Sequence, residues 1–342
     1  MLEQEPRQKR RNQPTLKSIA ERTGLAITTV SKALRGGGNL NAETVKRVHA
    51  VAREIGYRPN RSGVGLRTGR TFVITVAVDH SDDISDFERR IVTGVSTALS
   101  ATPYEMSFTP IFAHTDEIEV FRDIATSHAA DGIIFTNTTP DDKRVKLLTE
   151  LDFPFVTHGR TNLAVPHAYY DFDNEAFVYQ AAKRLIQKGR KNLAIASGTV
   201  GLTYFEHAKA GLHRATQEEG AKVSTLNPAQ GVKPFAAAMH EAVLRAANNH
   251  SLPDGIISSS DIGSLALIDA LIESDVIIGK DIDIVSRRTS TMLDFCRPRL
   301  DMISEDLIGA GEVLAKLLIR RINGEAPEDL QMIGAPKVMW QD

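Results

Sequence analysis

The sequence holds one cysteine, Cys296, and one tryptophan among 342 residues. A single thiol makes no intrachain disulfide and no thiolate zinc site, so Cys296 is expected to be a small packed thiol in a reducing cytoplasm. No apolar run approaches the roughly 18 residues of a membrane span. The N-terminus, MLEQEPRQKRRNQP, is charged and lacks the apolar segment of a secretory signal. Also missing are a phosphate loop, a GxSxG elbow and an HExxH helix. The ten histidines never fall at His-x-His or His-x3-His spacing. Adjacent carboxylates occur at Asp82-Asp83 and Asp141-Asp142. Neighbours in a chain do not flank a scissile bond from two sides. The expectation is no catalytic residue, no metal and no cofactor.

What remains is a soluble composition, 42 % hydrophobic and 25 % charged, with an uneven charge. Residues 1–70 carry 15 Lys and Arg against 5 Asp and Glu, a net of +10. The remaining 26 basic and 38 acidic residues give −12, and the two nets make up the overall −2. A basic head on an acidic body suits a head that meets a polyanion.

After a basic tail at 1–14, three short helical patterns follow. TLKSIAERTG offers Thr15 as N-cap, an apolar face of Leu16, Ile19 and Ala20, and Gly24 as a stop. LAITTVSKALRGGG turns Leu25, Val30, Ala33 and Leu34 inward. NAETVKRVHAVAREIG starts at Asn41 and repeats Val45, Val48, Ala52 and Ile55 at helical spacing. Two helices joined by a short turn and followed by a third are a helix-turn-helix arrangement, expected over 15–57. The second helix leaves Ile27, Thr28, Thr29, Ser31 and Lys32 outward near its N-terminus. Such short hydroxyl and methyl groups can enter a major groove.

From 71 onward, β-rich apolar runs at 72–78, 106–112, 132–135, 154–157, 193–196, 255–258 and 282–286 alternate with helical stretches. The alternation predicts doubly wound parallel α/β sheets, and about 270 residues suit two lobes. A half-repeat agrees: DGIIFTNTTPDD in the first half is echoed by PDGIISSSDIGS in the second. Ligands of parallel α/β sheets bind outside the carboxyl ends of the strands. The candidates at those ends are Asp86, Phe87, Thr136, Asn137, His158, Arg160, Phe172, Tyr204, His207, Ser260 and Arg288, with Asp171, Asp173 and Arg287 beside them. Carboxylates, amides, hydroxyls, guanidinium groups and aromatic rings are the mixture that a sugar needs. Asp141 and Asp142 read rather as caps of the following helix.

TLKSIAERTGLAITTVSKAL with VKRVHAVAREIGYRPNRSGVGLRTGR resembles the DNA-binding head and hinge of LacI/GalR-type bacterial repressors, and the likeness runs more loosely to the C-terminus. The resemblance implies a helix-turn-helix head, a hinge at 58–70 and an effector domain at 71–342 like a periplasmic sugar-binding protein. Its chain would cross between lobes near 168–173, 297–300 and 323–326. That divides it into lobe 1 at 71–168 and 300–324 and lobe 2 at 169–299 and 325–342. Double-stranded operator DNA, a carbohydrate effector and a second copy of the chain are the implied partners, and the homodimer would read a pseudo-palindrome. The implied DNA contacts are Thr15, Ile27, Thr28, Thr29, Ser31, Lys32, Asn60, Arg61, Leu66 and Arg67. Lys32 stands where the family commonly has arginine, which keeps the charge and loses the bidentate fork.

Two departures bear on the effector. Arg288 stands where many members have an effector-contacting aspartate, and Ala208, beside His207, replaces a common effector arginine. THGRT, DFDNEA and PDDKRV resemble the raffinose and α-glucoside repressor subgroup, which points to a disaccharide or glycoside acting as inducer. The alternatives are a regulator steered by a protein corepressor and a sugar-processing enzyme with a DNA-binding head.

In the hinge, arginines and glycines frame Leu66. The resemblance makes Leu66 a minor-groove wedge, a device that unstacks a base step and kinks the duplex. Asn60 can cap the hinge helix, and Arg61 and Arg67 can meet phosphates. Gly63 and Gly65 each cost a helix about 1 kcal/mol relative to alanine. Leu66→Ala is expected to remove most specific operator binding and leave the salt-sensitive non-specific part, read by filter binding at two ionic strengths. Gly63→Ala with Gly65→Ala is expected to tighten operator binding.

Overall fold

The computed structural model describes residues 14–34, 39–57, 69–79, 86–112, 114–197, 201–226 and 235–341. The chain divides into two units, residues 1–71 and 72–342. Among the described residues no helix is long and apolar enough to cross a membrane.

The first unit contains α1 (Leu16–Thr23), α2 (Ile27–Leu34) and α3 (Ala42–Glu54). Thr15 caps α1 in a capping box with Ser18, and Gly24 closes it in the left-handed conformation, φ 68°. That turn lets α2 begin three residues later. Ile19, Val30, Ala33 and Val48 are fully buried and form the shared core of the three helices. Arg47 of α3 donates to the Thr23 carbonyl (3.2 Å), tying the third helix to the end of the first.

The second unit is built on two six-stranded sheets. The first contains β1 (Val73–Asp79), β2 (Glu105–Ile111), β3 (Gly132–Phe135), β4 (Phe155–His158), β5 (Tyr169–Phe172) and β11 (Gln331–Gly334) in the order β11-β5-β4-β3-β1-β2, all parallel. The second contains β6 (Asn192–Ala196), β7 (Lys222–Val223), β8 (Gly255–Ser258), β9 (Asp283–Arg288), β10 (Asp301–Ser304) and β12 (Lys337–Met339) in the order β12-β10-β9-β8-β6-β7. Only β12 runs antiparallel there. In each sheet the strand order reverses beside the first strand, between β1 and β3 and between β6 and β8. These are the places where doubly wound sheets open a crevice. The two halves of the sequence repeat, β3 and β8 with their loops, occupy equivalent places.

Helices cover both faces of each sheet. α4 (Asp86–Leu99) and α11 (Leu307–Ile322) lie on one face of the first, over Ile74, Val76 and Ile134. α5 (Glu117–Thr126) and α6 (Lys143–Glu150) lie on the other, over Ala77, Ile133 and Phe135. The two-residue period of a strand explains the split of Ile133 and Phe135 from Ile134. On the second sheet, α7 (Asn174–Gln187) and α8 (Thr203–Glu219) face α9 (Phe235–Asn248) and α10 (Asp261–Glu273) across the strands.

The expected lobe boundaries need correction. β5 and β11 belong to the first sheet, and β10 belongs to the second. The chain therefore crosses at about residue 173, at 305–306 and at 335–336, each time after a strand rather than before it. The segments YYDF, DMIS and QMIG carry too few consecutive apolar residues to signal strands. Their pairing comes from the neighbouring strand, a long-range effect on propensity. Helix α11 does lie on the first lobe, and β12 does belong to the second, as the lobe ranges implied by the resemblance have them.

α4 and α11 touch backbone to backbone. A Cβ on Gly311 would collide with the Ile91 carbonyl, and one on Gly94 with the Ile308 carbonyl. Glycine to alanine usually favours a helix, but here overpacking dominates. Gly311→Ala is expected to lower stability by about 1–3 kcal/mol, measured as a fall in the urea midpoint at constant m-value.

Candidate functional site

The exposed end of α2 is the candidate nucleic-acid interface. Val30 and Ala33 are buried, so the helix must turn its other face outward. Ile27 is 47 % exposed, so its methyl groups are open to contact. Thr28 and Lys32 are exposed, and Thr29 and Ser31 are half-buried. Thr15 is exposed, and its hydroxyl accepts from Ser18 N at 3.3 Å as the cap of α1. Asn60, Arg61, Leu66 and Arg67 lie outside the described residues.

In the second unit, the carboxyl ends of the two sheets meet. Thr203, at the start of α8, donates through its N–H (2.9 Å) and its hydroxyl (3.1 Å) to the Thr138 carbonyl after β3. His158, ending β4, puts Nε2 3.2 Å from Glu305 Oε1, just past β10. Arg287 of β9 pairs with the other oxygen, Glu305 Oε2. All three side chains are buried. Burial pushes the Glu305 carboxyl up, but Arg287 and His158 outweigh it and hold it below the usual range. Phe87 packs edge-on against the His158 ring at 5.1 Å.

A second group lies beside this bridge. Arg160 Nε is 3.1 Å from Asp171 Oδ2, without the alignment of a hydrogen bond, and His207 Nδ1 is 3.9 Å from the same oxygen. Burial raises the Asp171 carboxyl to about 6, against the pull of His158 and Arg160. Burial also lowers the His207 imidazole, and Arg160 lowers it further. Asp171 Oδ2, His207 Nδ1 and Arg287 Nε are buried and have no hydrogen-bond partner among the described residues. Buried polar atoms are rarely left so. Asp171 of the first lobe and His207 of the second thus meet, and Arg287 acts electrostatically on the same carboxylate. Among the described residues, no cluster of His, Cys, Asp or Glu has the arrangement to hold a metal ion.

Comparison with known proteins bears on both surfaces. A family described as "Bacterial regulatory proteins, lacI family" matches residues 15–60, and a "Periplasmic binding protein-like domain" matches residues 182–339. The HTH-type transcriptional regulator AglR of Rhizobium meliloti is 32 % identical over 92 % of this chain and 90 % of its own length. The chain belongs to the lacI family of bacterial regulatory proteins. RafR of Escherichia coli, also an HTH-type transcriptional regulator, is 29 % identical over 94 % of this chain and 96 % of its own. The solved structure of a transcriptional regulator CelR–cellobiose complex is 26 % identical, with a TM-score of 0.68 over 96 % of this chain and 99 % of that one.

Within this lacI-family chain, the structure gathers His158, Arg160 and His207 into one cluster, with Phe87 against His158. Tyr204 is half-buried nearby, its hydroxyl 3.4 Å from Ser197 Oγ. Thr136 and Asn137 follow β3, with Asn137 left-handed at φ 58°. Asp86 opens α4, and its side chain lies outside the described residues. Three expectations are corrected. Phe172 is 1 % exposed and packs in the core with Phe177, its face taken by the Arg287 guanidinium at 4.7 Å. Ser260 caps α10, accepting from Gly263 N at 3.1 Å, so its hydroxyl is committed to the helix. Arg288 is turned outward and grips Asp294 with two bonds (2.9 and 2.6 Å). Strand alternation puts Arg287, not Arg288, on the inner side.

Asp171 and Arg287 were legible as strand-end residues, whereas Glu305 was missed because it follows β10, a strand without an apolar run. Asp142 is a cap, as its sequence context suggests, accepting from Arg144 N (2.9 Å) and Val145 N (3.3 Å).

Removing Glu305 would leave Arg287 buried without its carboxylate. Glu305→Ala is expected to cost about 3–5 kcal/mol in urea unfolding of the full chain. A loss under about 1 kcal/mol would place the pair among weak surface bridges and refute its bridging role.

Proposed function

We propose that this transcriptional regulator is a homodimeric repressor whose operator affinity is set by a neutral carbohydrate held between its two lobes. The observation that carries this reading is the trio of buried atoms without a hydrogen bond among the described residues, Asp171 Oδ2, His207 Nδ1 and Arg287 Nε. Sugar hydroxyls both donate and accept, so one ring can satisfy all three. The likeness to a regulator solved with cellobiose supports the same class. The dimer follows from its target: two identical recognition helices fit two half-sites of a pseudo-palindrome. The protein acts in the cytoplasm, where operator and sugar both are, and uses binding alone, with no cofactor and no catalytic step.

The DNA contacts are Ile27, Thr28, Thr29, Ser31 and Lys32 of α2, with Thr15 and the hinge residues Asn60, Arg61, Leu66 and Arg67. The sugar contacts are Arg160, Asp171, His207 and Arg287, bordered by Phe87, His158 and Tyr204. The sugar is an inducer: it replaces contacts that hold one lobe arrangement and so favours another. By linkage, operator DNA lowers sugar affinity by the same factor.

A screen of disaccharides and glycosides by thermal shift tests the reading. A sugar at one hundred times its Kd adds about 2.7 kcal/mol, and the hits are expected to release a fluorescent operator duplex. No shift across the screen would overturn the carbohydrate assignment. Affinity is also expected to depend on pH. Ionised Asp171 offers both oxygens as acceptors, whereas the protonated carboxyl gives one up as a donor, and burial pushes this carboxyl up to about 6. Sugar binding is therefore expected to strengthen as pH rises from about 5 to about 7.5 and then level off. Asp171→Asn is expected to flatten that profile in isothermal titration calorimetry.

A further inference from the structure

Helix α8 begins without a cap of its own. Aspartates cap α5, α6, α7 and α11, and a serine caps α10, each accepting from a backbone N–H of the first turn. Leu202 holds that place before α8 and makes no side-chain bond to the helix. The first amides of a helix have no partner within it. Here the partner comes from the other lobe. The Thr138 carbonyl accepts both the Thr203 N–H (2.9 Å) and the Thr203 hydroxyl (3.1 Å). A carbonyl oxygen has two lone pairs, so this one is fully used.

Thr138 is itself fixed from its own lobe. The Asn137 carbonyl accepts from Arg144 Nη2 (2.9 Å), and the Thr139 N–H donates to Asp142 Oδ2 (3.0 Å). Asp142 and Arg144 are buried and bonded to each other (2.7 Å), so the chain before and after Thr138 is tied to the start of α6. The Thr138 hydroxyl donates to the Arg160 carbonyl (3.0 Å). Gly159, one residue earlier, adopts φ 107°, and a Cβ there would collide with the same hydroxyl. The turn that presents Arg160 is therefore fitted round Thr138.

Groups of both lobes thus depend on one residue. In the first lobe Thr138 sets the backbone of Arg160, whose Nε is 3.1 Å from Asp171 Oδ2. In the second it holds Thr203, and His207 lies four residues on, on the same face of α8. His207 Nδ1 is 3.9 Å from the same Asp171 oxygen.

We propose that Thr138 is the positioning residue of the cleft: its hydroxyl sets Arg160, its carbonyl caps α8 across the lobe junction, and together they hold Arg160 and His207 in register around Asp171. The proposal rests on the carbohydrate reading of the cleft and adds the residue that sets the geometry of its ligand groups.

The test is calorimetric titration of the full chain with cellobiose, maltose, melibiose and sucrose, between about pH 5 and about pH 7.5. The wild type is compared with Thr138→Val, Thr138→Ser and Thr203→Val. Valine removes a hydroxyl and keeps the branched shape. Asp171 is faced by Arg160 and His158 of its own lobe, by His207 of α8, by Arg287 of β9 and by Glu305 after β10. Arg160 draws the Asp171 carboxyl down, so an Arg160 no longer held leaves it titrating higher. Thr138→Val is expected to weaken the sugar about fivefold and to move the rise of affinity to higher pH. Thr138→Ser keeps the hydroxyl and is expected to restore both. Thr203→Val removes one of two bonds to the Thr138 carbonyl. It is expected to weaken the sugar about fivefold with the pH profile in place, because Arg160 is untouched. If none of the sugars binds the wild type, the carbohydrate reading falls and the proposal with it. If sugars bind but Thr138→Val leaves the pH profile where it was, the positioning role falls and the carbohydrate reading stands. A Thr203→Val variant that binds like the wild type also overturns it. So does a Thr138→Ser variant that restores nothing, which would assign the effect to lost packing.

Discussion

A buried carboxylate must be answered by charge or lose its own, and in this chain Glu305 is answered from both lobes. Arg287 comes from its own sheet, His158 from the opposite one. Much of the cleft follows from that requirement. His158 is oriented by it, and Phe87 packs on His158. Arg287 is drawn inward by it, and the guanidinium then covers Phe172, which removes that ring from the surface. Glu305 also sits where the chain leaves the second sheet for helix α11, so the electrostatic bridge and the covalent crossing coincide.

This placement gives the regulatory reading its physical content. A ligand shifts a conformational equilibrium only by the difference in its affinity for the two states. The groups proposed to touch the sugar, Arg287 and Asp171, adjoin the groups that hold the lobes together. Binding there cannot be neutral towards lobe arrangement, because it changes the neighbours of the bridge itself. Thr203 and Thr138 form a second, uncharged link across the same junction.

The head was legible because each of its signals is local. Thr15, Gly24 and Asn41 mark helix ends through their own backbone and side-chain chemistry, and three helices expose one face by periodicity alone. The seven apolar strands of the body were legible for a similar reason. The cleft was harder. Ser260 and Arg288 are at strand ends and chemically suitable, but a nearby N-terminus of a helix takes the one and Asp294 takes the other. Neither competitor can be ranked without knowing distances.

The sequence by itself determined the architecture: a basic three-helix head and two α/β lobes whose strand ends carry sugar-compatible groups. Periodicity, capping and charge act within a few residues, so they survive in one dimension. Tertiary structure decided which strand-end groups meet. It also put β5, β10 and β11 in their sheets and made Glu305 the joint between the lobes. His158 and Glu305 are 147 positions apart, and only the folded chain brings a carboxylate and its partners close enough to outweigh the cost of burial.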